Sequence, residues 1–224
     1  FQDQGQEKLG LVKNDGRQLV ALADLGLPFA DMTDLICHLD DSQRAILEKA
    51  QTDPSVPAIA LDTSVLLSPI PRPRQDIICL GLNYLEHAEE SARYHQRDFS
   101  REKSDPPIYF SKRATVALGT GAPIPSHQDI VQRLDYEVEL AVILGKDAYQ
   151  VKAEDAAAYI FGYAVFNDVS ARDIQHQHKQ WYRGKSLDGF TVMGPWIVTA
   201  DEIAFPPALS IQSRVNGELR QNSN

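Results

Sequence analysis

Residues 134–145 constrain the fold most, because two glutamates there lead into a nearly continuous apolar run. Alternate side chains of a strand lie on the same face, so Glu137 and Glu139 are predicted to point the same way. The apolar residues 140–144 predict a strand that enters the core. Two neighbouring carboxylates there repel each other unless a proton or a cation lies between them.

A third carboxylate, Asp168, follows the apolar residues 162–166, which predict a second strand that ends in an acidic side chain. The Glu-x-Glu spacing alone is also common on solvated strand faces. With the apolar flanks, it predicts a metal site of Glu137, Glu139 and Asp168. Three oxygen ligands without nearby histidine or cysteine favour Mg²⁺, or alternatively Mn²⁺ or Ca²⁺, over zinc.

A candidate acid-base pair comes earlier in the chain. His87 and Glu90 are three residues apart and would be neighbours on a helical turn. A carboxylate in that position can fix the imidazole tautomer and raise its basicity. The same spacing fits an ordinary surface pair, and the residues alone favour that simpler interpretation.

Three further polar residues are candidates for substrate contacts. Lys185 lies between Gly184 and Gly189, and these glycines can let the backbone and the ammonium approach a ligand. Arg172 and Gln175 follow Asp168 closely enough to reach the same site, and an arginine can bind a carboxylate through two hydrogen bonds. A loop lysine and a surface arginine are the alternatives.

The order of predicted elements indicates an α+β fold that is mostly β. A hairpin is predicted over residues 11–25, followed by two short helices, the first capped by Asp31 or Thr33 and the second by Asp41 or Ser42. The prolines of residues 70–74 favour an extended path. We therefore predict a small N-terminal α+β domain at 1–70 and a strand-rich body at 71–224. The body opens with residues 77–81, predicted to be a strand buried on both faces.

Composition excludes several classes of function. The formal net charge is -9 and the pI about 5.1, so nucleic acid and anionic membrane surfaces are disfavoured partners. No apolar run approaches the roughly 18 residues that span a bilayer. Cys37 and Cys79 have no partner at metal or redox spacing, which predicts buried, reduced thiols in a cytoplasmic protein.

Five motifs in order resemble the fumarylacetoacetate hydrolase family, from about residue 77 to the C-terminus. They are Asn83-Tyr84 with His87 and Glu90, Tyr109-Phe110-Ser111-Lys112, Asp135-Tyr136-Glu137-Val138-Glu139-Leu140, Asn167-Asp168-Val169-Ser170-Ala171-Arg172-Asp173-Ile174-Gln175 and Gly184-Lys185-Ser186-Leu187-Asp188. Each motif is short, but the set in this order is highly specific. Members of the family generally continue past the last hairpin, so the resemblance also implies a C-terminal part missing after Asn224.

The resemblance implies a mixed β-sandwich roll that is usually a homodimer and binds Mg²⁺ or a similar cation. It implies that His87 and Glu90 form a water-activating dyad on a mobile lid, and that Lys185 holds substrate oxygens with Arg172 and Gln175 as further contributors. The expected substrate is a small oxo acid.

Three functions remain open at this point. The first is hydrolytic cleavage of a carbon-carbon bond in an acylpyruvate or another 2,4-dioxo acid. The second is decarboxylation or isomerisation of an unsaturated 2-hydroxy or 2-oxo diacid in aromatic catabolism, oxaloacetate decarboxylation included. The third is a non-catalytic module that binds a metal or a carboxylate.

Overall fold

The computed structural model describes residues 1–13, 16–62, 66–81 and 106–224. The predicted dyad of His87 and Glu90 lies outside the described residues.

The predicted fold class is confirmed, because strands dominate and helices are few. In chain order the strands are β1 Gln2–Asp3, β2 Gln6–Glu7, β3 Gly10–Val12, β4 Gln18–Ala21, β5 Ile59–Ala60, β6 Ile77–Gly81, β7 Ile108–Lys112, β8 Leu134–Asp135, β9 Val138–Leu144, β10 Ile160–Asp168, β11 Ser170–Ala171, β12 Thr191–Thr199, β13 Ile211–Val215 and β14 Glu218–Ser223.

The helices are short and lie at the edges of this framework. Helix α1 spans Met32–His38 and α2 spans Asp41–Thr52, and two further helices span Arg172–Gln177 and Tyr182–Lys185. Segments of 3₁₀ helix cover Leu22–Leu25, Ala153–Tyr159 and Ala200–Glu202. No helix in the described part of the chain is long and apolar enough to cross a membrane.

The N-terminal elements follow the predicted order. β3 pairs with β4 in an antiparallel hairpin that β5 extends. Asp31 caps α1 by accepting the Asp34 N–H, as predicted. The predicted cap of α2 was wrong by one residue: Asp40 caps it, in a capping box with Gln43. Leu22, Leu27 and Leu35 form a small core here.

The central sheet has the antiparallel order β12-β10-β9. One face carries Ile143, Ala164, Phe166 and Met193, which are buried together. Burying an aromatic or aliphatic side chain of this size contributes about 1.5–3 kcal/mol, so this face supplies much of the stability of the body. Glu139 of β9 lies opposite Phe166 of β10, which places Glu139 at the end of this buried face.

Three expectations were wrong in detail. The strand predicted over residues 136–144 begins two residues later, since β8 ends at Asp135 and β9 begins at Val138, so Glu137 precedes it. β6 is buried on one face only: it pairs with β7 in a two-stranded sheet, and Ile78 is 63% exposed. Cys37 is exposed because it lies on the outer side of α1, away from buried Leu35, whereas Cys79 is buried as predicted.

The Asn216-Gly217 pair predicts a hairpin between residues 211–215 and 218–220, and that hairpin is present. β13 and β14 pair across Asn216 and Gly217, whose φ angles of 52° and 83° explain why the Asn-Gly pair is needed there. The Val138 N–H donates to the side chain of Gln221 on β14, which attaches this hairpin to β9.

Candidate metal and substrate site

Asp168 is the last residue of β10 and is fully buried. Its Oδ1 lies 2.7 Å from Nζ of Lys112, and its Oδ2 lies 2.6 Å from Nζ of Lys185. Its main-chain N–H donates to the Glu137 carbonyl. A buried carboxylate needs such compensation, so Asp168 is the anionic centre of the site.

Glu137 lies in the break between β8 and β9, where its N–H donates to the side-chain oxygen of Asn167. Its carboxylate accepts hydrogen bonds from Ser170 at 2.8 Å and Arg172 at 2.7 Å, and it contacts the Lys185 ammonium. Burial alone would raise its pKa, but the charges of Lys185 and Arg172 outweigh burial and lower the pKa to about 2. Glu137 is therefore ionised at neutral pH.

Among the acidic side chains of the site, Glu139 has the least compensation of its negative charge by cationic or hydrogen-bonding partners. The described residues give its carboxylate no hydrogen bond or ion pair. Burial, then repulsion from Asp168 and Glu137, raises its pKa to about 8. The site thus carries a proton on Glu139 at neutral pH, or needs one more positive charge.

Lys185 ends the short helix Tyr182–Lys185 and is buried. Burial opposes its charge, yet Asp168 and Glu137 raise its pKa above the usual value. The ring of Phe110 lies 5.1 Å from its ammonium. Gly184 allows this placement, because a Cβ there would lie 2.7 Å from the Gln175 backbone nitrogen. The glycine therefore allows the two short helices to pack closely.

Lys112, the last residue of the motif Tyr109-Phe110-Ser111-Lys112, is a further member of the site. It is fully buried at the end of β7, and its ammonium donates to the carbonyl oxygens of Val169 and Lys185. Burial lowers its pKa, and Asp168 offsets this only in part. A lysine at a strand end within an apolar segment is the signal that could have identified it.

Arg172 and Gln175 lie beside the carboxylates. The Arg172 guanidinium donates to Asp135 at 2.8 Å, to Glu137 at 2.7 Å and to Gln175 at 3.0 Å. Gln175 is buried, and Asp135 is half-buried at the outer end of this chain of contacts. Arg172 therefore orients Glu137, and its predicted substrate contact stays a prediction.

The acidic residues fit a hard cation by charge and by donor type. Four carboxylates face only three cationic side chains, and all the donors are oxygens. Within the described ranges no group of three or more His, Cys, Asp and Glu side chains is arranged as a ready metal cluster. In this arrangement the Lys185 ammonium bridges Glu137 and Asp168.

The structure brings together six of the eight predicted residues, and the other two lie outside its described part. The six are Glu137, Glu139, Asp168, Arg172, Gln175 and Lys185. Ser170 and Lys112 are additions. The roles of all eight stay predictions.

Comparison with known families gives an independent result. Residues 76–224 match the family model described as "Fumarylacetoacetate (FAA) hydrolase C-terminal", which is well over half of the chain. Enzymes of this family generally use divalent metal ions.

Several curated relatives carry the same name, oxaloacetate tautomerase. Oxaloacetate tautomerase YisK of Bacillus subtilis is 42% identical over 157 residues, covering 70% of this chain and 50% of the relative. The mitochondrial oxaloacetate tautomerase fahd2 of Xenopus laevis is 36% identical over 235 residues, covering 99% of this chain and 67% of the relative. The chain thus spans half to two thirds of the length of these relatives.

Solved structures agree on the fold. A fumarylacetoacetate hydrolase from Exiguobacterium antarcticum superposes with a TM-score of 0.72 at 34% identity, covering 100% of this chain and 73% of that one. A 5-carboxymethyl-2-hydroxymuconate delta-isomerase from Mycobacterium smegmatis gives a TM-score of 0.57 at 37% identity, covering 70% and 57%.

Proposed function

Because the chain belongs to the fumarylacetoacetate hydrolase family, we propose that it is a cation-dependent enzyme that tautomerises a small 2-oxo diacid, with oxaloacetate as the first candidate. The observation that carries the proposal is the buried cluster of Glu137, Glu139 and Asp168 around Lys185. The names of the relatives in Bacillus and Xenopus supply the substrate class.

An added cation would let the cluster attract an anionic substrate. With Glu139 protonated, the three remaining carboxylates only balance the three cationic side chains, and with Glu139 ionised the carboxylates are in excess, so neither state by itself attracts a dianionic oxo acid. Glu137, Glu139 and Asp168 would hold the cation. When bound, a divalent cation supplies Lewis acidity toward the 2-oxo group and its neighbouring carboxylate.

Lys185 has the central part in the proposed reaction. With Glu137 and Asp168 holding a cation, its ammonium would be released to contact a substrate oxygen and would stabilise the negative charge that develops there. Phe110 and the neighbouring Trp181, whose rings meet edge to face at 5.3 Å, keep an apolar wall beside this ammonium. Low polarity there strengthens the interaction between the ammonium and the oxygen.

We assign the proton transfer to the dyad of His87 and Glu90 that the sequence predicts. Tautomerisation moves one proton between the enol oxygen and carbon 3, and no carbon-carbon bond breaks. His87, oriented by Glu90, would carry this proton. Arg172, which also donates to Gln175, holds Glu137 in place from the other side.

Hydrolysis is the second candidate, because the fumarylacetoacetate hydrolase of Exiguobacterium matches the whole chain in fold. The same dyad would then activate water, and an acylpyruvate would break into two organic fragments. Decarboxylation of oxaloacetate is the third outcome that the same enolate chemistry allows.

The test is product analysis on oxaloacetate and acylpyruvate in the presence of Mg²⁺. We expect faster loss of the enol ultraviolet absorbance of oxaloacetate, with the mass of the product unchanged. Glu139→Gln at the same Mg²⁺ concentration is the control for cation-catalysed background. Two organic fragments from acylpyruvate would instead favour hydrolysis, release of carbon dioxide would favour decarboxylation, and no turnover would favour a binding module.

Assembly and location belong to the same proposal. We propose a cytoplasmic location and a homodimer. The homodimer is supported by exposed apolar side chains on one face of β9 and β10, where Val142, Leu144 and Val165 are each about half exposed. An apolar patch of this kind is common where a second chain packs. Sedimentation velocity that shows only a monomer would contradict the dimer.

A further inference from the structure

Lys112 is held by three groups from two parts of the fold, the end of β10 and the end of the helix Tyr182–Lys185. Its ammonium lies 2.7 Å from Asp168 Oδ1 and donates to Val169 O at 3.0 Å and to Lys185 O. The side chain is fully buried. Fixing a buried lysine in this way removes its freedom to turn toward another partner.

The contacts divide the two oxygens of Asp168 between two lysines. Oδ1 faces Lys112, and Oδ2 faces Lys185. Oδ1 accepts no directed hydrogen bond within the described residues, so the charge of Lys112 is what compensates it. Lys185 is the lysine proposed to exchange its carboxylate partners for a substrate oxygen. Lys112 instead donates to two main-chain carbonyls, which the backbone holds in position.

The number of oxygens that a carboxylate offers affects which cation binds. Ca²⁺ takes about six to eight oxygens and often uses both oxygens of one carboxylate. Mg²⁺ requires near-octahedral geometry, keeps several waters and is satisfied by single carboxylate oxygens. A carboxylate with one oxygen already engaged therefore disfavours Ca²⁺ more than Mg²⁺.

We propose that Lys112 is a specificity-determining positioning residue, which restricts Asp168 to one donor oxygen and so favours Mg²⁺ over Ca²⁺ at the site. This inference rests on the cation dependence in the proposed function. It adds a residue for which the sequence suggested no role, and it narrows the choice of ion.

The experiment is calorimetric titration of Mg²⁺ and of Ca²⁺ into wild type, Lys112→Met and Lys112→Arg. Removing the ammonium strengthens binding of both cations by charge alone, and the ratio of the two dissociation constants cancels most of that effect. We expect the ratio to shift toward Ca²⁺ by about tenfold in Lys112→Met, in the range seen when groups around metal ligands are changed. Lys112→Arg keeps the charge and should stay near the wild-type ratio.

Lys152→Met is the matched control, because it removes a lysine whose pairing with Glu154 at 3.6 Å lies on the surface. It should leave the ratio unchanged. Wild-type protein itself should bind Ca²⁺ no more tightly than Mg²⁺, which tests the inference even if Lys112→Met does not fold.

Three results would overturn the inference, and they differ in how much of the account they contradict. An unchanged ratio in folded Lys112→Met, or a clear wild-type preference for Ca²⁺, removes the role of Lys112 alone. Failure of wild type to bind either cation removes the proposed function as well.

Discussion

Asp168→Asn is expected to lower the free energy of unfolding of the cation-free protein by about 3–5 kcal/mol, the range for removing one member of a buried ion pair. Asp168 and its two lysine partners are all buried, so the substitution leaves Lys112 and Lys185 with much less compensation. The shape of the side chain is retained, so packing contributes little. Urea denaturation at neutral pH measures the effect.

Asp3→Asn is the matched control for this prediction. Asp3 pairs with Lys8 at 2.6 Å, but both side chains are more than a third exposed. Exposed pairs of this kind contribute about 0–1 kcal/mol, so the control should change the free energy of unfolding very little. Equal effects of the two substitutions would contradict the description of Asp168 as the centre of a buried network.

Lys185→Met is expected to reduce turnover of oxaloacetate by about 10²–10³-fold, the cost of removing one preorganised group that stabilises a developing oxyanion. Binding of Mg²⁺ should be retained or tightened, because Glu137 and Asp168 no longer hold the ammonium as a competing cation. Steady-state kinetics at saturating Mg²⁺, together with calorimetry, separate the two effects.

Lys179→Met provides the control, since Lys179 is an exposed lysine six residues earlier in the chain. Its turnover should match wild type. Near-normal turnover of folded Lys185→Met would remove Lys185 from the chemistry and leave it a structural role only.

The acidic site could be predicted from the sequence because the residues that indicate it lie within short segments of the chain. Alternation in residues 137–144 and the acidic end of β10 were enough to bring Glu139 and Asp168 to the same end of one core face. The Asn-Gly turn before β14 was equally local. Each of these features follows from backbone geometry within a few residues.

The remaining features depend on packing between distant segments. Lys112 and Asp168 are 56 positions apart in the sequence, and no periodic pattern of residues predicts a contact at that separation. The break that carries Glu137 arises because β8 pairs with β11 while β9 pairs with β10. The open face of β6 reflects a two-stranded sheet, which composition alone cannot distinguish from a covered one.

The central claim is that Glu137, Glu139 and Asp168 hold a divalent cation, and a calorimetric titration of Mn²⁺ into wild type and Glu139→Gln tests it most directly. Because the pKa of Glu139 is raised to about 8, the cation must displace a proton below that pH. We expect one site per chain in wild type, affinity that rises with pH up to about 8, and proton release on binding. Glu139→Gln should bind at least about tenfold more weakly and without that pH dependence. Equal affinity in both proteins, with no proton released, would contradict the cation site.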